Sequence, residues 1–269
     1  MIYILFFITV TLNILLTISV SYRMSGIITK LISVSNSIEK ILNLFSRSLT
    51  TILFVLLVAF IEKKLVIGTK YDFLFYFRVL IFANTVGVII GMFLIPIAIK
   101  VISKISVRYS IIRDEFKIYV WVLKSIPKVF RKEELNFPSF NNLIEFFVLK
   151  GDIPVKILLI NTISQSFSYL SIYSCLYVAI RHPEIRMTAL SMSAVFQGIT
   201  AILSNLFVEI KLGLIADETS KNHISHITFN KIIIFYLLTR LIATILAQFM
   251  LISCADILYI LIKEYHLLG

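Results

Sequence analysis

The chain has 269 residues, 59% of them hydrophobic and only 15% charged, with a mean hydropathy of +0.95. Soluble domains carry about 25% charged and 45–50% apolar residues, so a soluble enzyme, a disordered chain and a disulfide-stapled module are excluded. The formal charge of +11 then reports membrane topology, because Lys and Arg gather in cytoplasmic loops beside anionic headgroups. No basic soluble module suited to nucleic acid is present.

Long unbroken apolar runs, in place of the ~10-residue alternating segments of a barrel, predict an all-α polytopic integral membrane protein. Residues 1–269 form a single transmembrane domain with six transmembrane helices at about 1–22, 41–61, 77–100, 156–180, 187–209 and 234–260. The first run is uncharged, has no basic leader, and is followed by Arg23, Lys30, Lys40 and Arg47. It reads as an uncleaved helix with its N-terminus outside. The second has only 14 uncharged residues, Ser48 to Ile61, so reaching the ~20 needed to span carries Arg47 into the membrane. The third contains Gly87-Val-Ile-Ile-Gly91, a close-packing motif. Packing within the chain is its plainer use, and a homodimer contact the sharper one.

Between the third and fourth spans lies an inner polar connector, 103–152. Ile105, Tyr109, Ile112, Phe116, Val120 and Leu123 recur there at helical spacing among Arg108, Arg113, Lys117 and Lys124, which predicts an amphipathic helix on the inner face. The inner segments 21–49, 100–156 and 211–231 hold 4, 11 and 3 basic residues. The outer ones hold Lys63, Lys64, Lys70, Arg181, Arg186 and Lys263. The excess predicts both termini outside.

No P-loop, G-x-S-x-G, H-E-x-x-H or paired-Cys motif occurs, so no catalytic residue, metal or cofactor is expected. Cys175 and Cys254 lie in apolar runs and read as buried hydrophobes. His223 and His226 beside Asp217 and Glu218 read as a polar connector. The informative groups are polar residues at membrane depth, which are costly and face a bundle interior or a wet cavity. These are Arg47, Arg78, Arg240, Glu209 and Asp256, with Asn84, Asn161, Gln165, Gln197, Asn205 and Gln248. Arginine forks suit phosphate, and interleaved amides fit a polar cavity for an anionic headgroup. Pairing of each arginine with Glu209 or Asp256, or snorkelling to an interface, is the competing use. Arg47 and Arg240 lie deepest.

Three stretches together resemble the Amj family of alternate lipid II flippases. The first is Arg23-Met-Ser-Gly26-Ile-Ile-Thr29, continuing to Phe45-Ser46-Arg47-Ser48. The second is Pro183-Glu184-Ile-Arg186-Met-Thr188-Ala189, running through Ser191, Ser193 and Gly198 to Phe207-Val208-Glu209. The third is Arg240 with Ala243-Thr244 and Ala247-Gln248. The chain departs from the family pattern at Ile28 and Leu31, where basic residues are usual, at Glu39 and Lys40, and at Glu209 in place of Asp.

The resemblance implies a non-enzymatic flippase in the bacterial plasma membrane. It would move an undecaprenyl-pyrophosphate-linked peptidoglycan precursor from the inner to the outer leaflet without nucleotide hydrolysis. On that reading Arg23, Arg47 and Arg240 meet the pyrophosphate, while Arg78, Asn84, Arg186, Gln197, Asn205, Glu209 and Gln248 are candidates for the polar cavity. Another polyprenyl-linked glycan as cargo, or a non-transporting scaffold for cell-wall enzymes, stays open.

Overall fold

The computed structural model describes residues 1–66, 72–112 and 154–267, and the described residues are almost entirely helical. In chain order the helices are α1 (Ile2–Ile18), α2 (Ser21–Thr29), α3 (Ile32–Val66), α4 (Phe73–Ile112), α5 (Val155–Arg181), α6 (Arg186–Leu203), α7 (Ile210–Ser220) and α8 (His226–Leu267). A 3-10 turn at Pro183–Ile185 enters α6, and a π-helical segment at Ser204–Glu209 joins α6 to α7.

Five helices are long and apolar enough to cross a bilayer: Ile2–Thr29, Ile32–Val66, Phe73–Ile111, Pro183–Ser220 and His226–Glu264. α5, with 27 residues, has the length but not the apolarity, because Asn161, Gln165 and five serines from Ser164 to Ser174 dilute it. Burial explains why this is tolerated. Ser164, Ser166, Ser171 and Ser174 are all buried, on the side of α5 that packs on α8 and α6, while Val155, Leu159 and Ile163 face outward. Ser164 Oγ donates to the Thr200 carbonyl at 2.9 Å and Asn161 Nδ2 to Thr239 Oγ1 at 2.7 Å. Such bonds join helices where lipid gives no hydrophobic drive between them.

Several elements outrun the apolar runs that announced them. The first helix breaks at Ser19–Val20 before α2 resumes, and α2 stops where Lys30 takes a left-handed φ of 56°. Gly26 permits this, since a Cβ there would lie 3.2 Å from Ile32 Cα at the start of α3. α3 begins at Ile32 rather than near 41, and α4 runs on to Ile112. Ile105 to Ile112 therefore continue α4, and the rest of the amphipathic stretch expected at 105–123 lies outside the described residues.

The expected Gly87–Gly91 stripe is occupied within the chain. α4 packs along α1, and a Cβ at Gly91 would sit 2.6 Å from Thr17 Cβ, while one at Gly87 would sit 2.7 Å from the Val10 carbonyl oxygen. The stripe is closed to a second copy of the chain. Overpacking a tight contact costs about 1–3 kcal/mol, so Gly91→Val is expected to lower the melting temperature of the detergent-solubilised protein. An unchanged melting curve would contradict the α1–α4 contact.

Along the helices, apolar layers bracket a polar one. One cluster gathers Leu5, Leu57, Phe77, Leu80, Leu170 and Leu251; another gathers Val20, Ile95, Leu158, Val208, Phe229 and Ile233. In sequence, Thr9, Asn13 and Thr17 lie between these layers on α1, Asn84 on α4, Asn161 to Ser166 on α5, and Thr239 and Arg240 on α8. All of these but Thr162, Ile163 and Gln165 are buried. The outer surface carries Phe7, Phe45, Phe75, Phe82, Ile199 and Phe249, all exposed, as a lipid-facing wall requires.

Candidate functional site

The polar layer opens into a cavity of about 1100 Å³. α3 packs on α1, α2 and α4, whereas α6 and α7 pack on α5, α8 and α2. The cavity fills the space between these two groups.

One face of α3 lines it through Asn36, Glu39, Lys40, Asn43, Ser46, Arg47 and Thr50, residues three or four apart and hence on one side of a helix. The opposite wall is the α6–α7 rod, with Gln197, Gly198, Asn205, Glu209, Gly213 and Asp217. Tyr22 and Arg23 of α2, Asn84 of α4, Tyr169 and Tyr173 of α5, and Tyr236 and Arg240 of α8 complete it. Asn36, Lys40, Arg47, Gly198 and Asn205 are exposed and Gly213 is half-buried, whereas Asn84, Arg23 and Arg240 are buried. The cavity thus has a wet mouth and an arginine-bearing floor. Four cations, Arg23, Lys40, Arg47 and Arg240, stand against three carboxylates, Glu39, Glu209 and Asp217.

The two floor arginines are held differently. Arg240 is only 4% exposed, and its Nη1 donates to the Leu16 carbonyl at 2.6 Å. That carbonyl lies in the last turn of α1, where carbonyls lack an intrahelical N–H partner, and it accepts from the Ser19 hydroxyl at 2.9 Å as well as from Arg240. The α1–α2 break thus creates the acceptor that seats Arg240. Its Nε, also buried, makes no hydrogen bond of good geometry, although the Tyr169 hydroxyl lies within reach of the guanidinium.

Arg23 is 8% exposed. Its Nε donates to the Tyr22 hydroxyl at 2.5 Å and its Nη2 to Glu209 Oε2, forming an ion pair, while the buried Nη1 has no partner. Tyr236 donates to the other Glu209 oxygen at 3.4 Å. Buried N–H groups are satisfied in the great majority of cases, and a charged donor left bare costs the most. Both arginines line the cavity, but these two nitrogens have almost no accessible surface, so an anionic oxygen reaches them only when the floor rearranges.

Of the residues singled out by sequence, the structure gathers Arg23, Arg47, Arg240, Asn84, Gln165, Gln197, Asn205 and Glu209 around this cavity. Arg78, Arg186 and Gln248 lie elsewhere. Gln248 Nε2 donates to the Arg78 carbonyl at 2.9 Å, and Arg186 Nε to the Ala179 carbonyl at 3.2 Å. These are helix-to-helix contacts with no share in the cavity wall. Asp256 is exposed and outside it as well. Asn84 does double duty, since its Oδ1 accepts from Asn13 Nδ2 at 2.6 Å.

Sequence reasoning missed the α3 stripe and the tyrosines Tyr22, Tyr169 and Tyr236. The stripe had a readable signal, polar residues at 36, 39, 43, 46 and 50, but starting the span at 41 cut it in two. Among the described residues, no group of three or more His, Cys, Asp or Glu side chains is placed to hold a metal.

These features define a multi-pass helical membrane protein built around a polar, arginine-bearing cavity. A family profile described as Amj, alternate to MurJ, matches residues 8–262, and the chain belongs to that family. It is similar to the lipid II flippase Amj of Bacillus subtilis (strain 168), with 29% identity over 182 residues, covering 66% of this chain and 66% of the relative. No solved structure matches. The protein is a multi-pass bacterial membrane protein.

Proposed function

We propose that this protein carries lipid II, the undecaprenyl-pyrophosphate-linked peptidoglycan precursor, from the inner to the outer leaflet of the plasma membrane, without nucleotide hydrolysis. The observation that carries the reading is the pair of arginines, Arg23 and Arg240, that line the floor of one cavity, each with a buried nitrogen left unsatisfied in this state. A pyrophosphate offers the charged oxygens these donors lack, and guanidinium–phosphate hydrogen bonds are among the stronger ones available to proteins. Arg47 and Lys40 at the exposed mouth attract the headgroup before it reaches the floor. Gln197 and Asn205 give its polar groups partners along the α6 wall, while the prenyl chain stays among the exposed apolar side chains.

Six crossings with both termini outside fit this scheme, α5 being the sixth, buried among its neighbours. The inner segments 21–49 and 211–231 contribute Arg23, Glu39, Lys40, Arg47 and Asp217 to the cavity, so in this state the mouth faces the leaflet in which the cargo is made. The membrane potential, negative inside, favours outward passage of an anion by about 2.3 kcal/mol per charge per 100 mV, and no step at this site needs bond-making chemistry.

The test is complementation. In a bacterium depleted of its resident lipid II flippase, expression of this chain is expected to restore growth and surface lipid II, detected with an externally added probe. Well-expressed protein that restores neither would remove lipid II as the cargo.

A further inference from the structure

The cavity contains an anion of its own. Glu209 sits at the end of the π-helical segment, where the widened turn carries it against Arg23 from across the cavity. Its grip is partial. One carboxylate oxygen takes Arg23 Nη2, while Nη1, buried beside it, has no partner. A planar guanidinium meets phosphate best through two parallel hydrogen bonds, and Nη2 becomes available for that only when Glu209 lets go. The two partners also differ in their surroundings. The Arg23 side chain is 7% exposed and Glu209 31% exposed, so the arginine is fixed in the floor while the carboxylate can retreat into water.

We propose that Glu209 is an exchangeable counter-ion. It holds Arg23 while the cavity is empty, is displaced by the incoming pyrophosphate, and drives the pyrophosphate off when it returns. The inference rests on the anion-carrier reading above and assigns Glu209 the role of setting affinity and release. A buried arginine with no partner is costly, so the empty carrier needs such a surrogate.

The displaced state is also made uncomfortable. Glu39 on α3 is within electrostatic reach of Glu209, and a second carboxylate faces any retreat toward that wall, which pushes Glu209 back to Arg23. Tyr236, donating to the free oxygen at 3.4 Å, marks the position to which it returns. A carrier without this competitor would bind its cargo tightly and turn over slowly.

The experiment uses the full chain purified in detergent, with inorganic pyrophosphate and farnesyl pyrophosphate as probes in calorimetry, and lipid II translocation in proteoliposomes. A hydrogen bond to a charged group contributes about 1.5–3 kcal/mol, so Glu209→Gln is expected to bind both probes roughly ten- to a hundredfold more tightly. Translocation is expected to slow because release is slowed. Glu209→Asp keeps the charge but reaches Arg23 less closely. It is expected to bind a few-fold more tightly than the original chain and serves as the readout should the Gln variant not fold.

Unchanged or weaker binding in both folded variants, while the original chain binds pyrophosphate, overturns the counter-ion role and leaves the arginine site standing. No preference for pyrophosphate over sulfate in the original chain or in either variant overturns both readings together.

Discussion

Arg240→Gln is expected to abolish lipid II transport in the complementation assay, reducing surface lipid II by at least tenfold at equal protein level. The arginine lies 4% exposed on the cavity floor with Nη1 fixed on the Leu16 carbonyl and Nε unsatisfied. A glutamine amide can still reach toward that carbonyl, so the helix contact is preserved in part. What it cannot supply is the charge or a donor on a second nitrogen. Losing a charged hydrogen bond costs about 1.5–3 kcal/mol, or roughly ten- to a hundredfold in binding. Arg240→Lys is expected to recover only part of the activity, since an ammonium is a point charge without the fork. Arg78→Gln and Arg186→Gln, in side chains that sit outside the cavity, should leave surface lipid II unchanged. Equal loss at all three positions would show that charge in the membrane, and not this floor, is what matters.

Gly198→Leu is expected to give a stable but inactive protein. Gly198 lines the cavity, and a Cβ placed there meets nothing within 4 Å. The added Cβ therefore meets open space, and the rest of the side chain is expected to project into the space the cargo is to occupy. Within a helix, glycine is about 0.8–1.0 kcal/mol less favourable than alanine, so the substitution removes a local weakness of α6 while filling the route. The expected pairing is an unchanged or raised melting temperature with surface lipid II lowered at least tenfold. Gly213→Leu on α7, which also opens onto empty space, should behave alike. The contrast with Gly91→Val, where the added atoms meet Thr17, separates a blocked route from a damaged fold. Full activity in Gly198→Leu would mean that the cargo does not pass between α3 and α6.

How far the molecule was readable beforehand depended on the range of the interaction. Apolar runs marked the helices because a membrane span must be apolar over most of its length, but they did not mark where helices end. α3 starts near Ile32 and α4 continues to Ile112, since a helix persists beyond the bilayer wherever its backbone hydrogen bonds can. α5 was recognised as an uncharged run, although by hydropathy it is outside the group of five, because four of its five serines face protein.

The arginines were legible as improbable residues, yet polarity along one span says nothing about direction. Arg240 and Gln248 share α8, but Arg240 turns to the cavity and Gln248 to α4. The Arg23–Glu209 pair joins residues 186 positions apart. No local pattern could have matched them, and the same holds for the Leu16 carbonyl that seats Arg240, which exists only because α1 is interrupted.

The serine-rich character of α5 bears on how the protein is made. On the six-crossing reading, a segment this polar partitions weakly into hydrocarbon when it leaves the translocon alone. Its Asn161 and Ser166 find acceptors on α8, at Thr239 and the Ala243 carbonyl, and α8 is synthesised last among the described helices. α6 offers Ser164 a partner earlier, through the Thr200 carbonyl, and the short turn at Pro183–Ile185 lets α5 and α6 enter as a hairpin. Assembly thus has an order written into it: the hairpin shelters α5 provisionally, and the arrival of α8 locks it in place and delivers Arg240 to the floor in the same step.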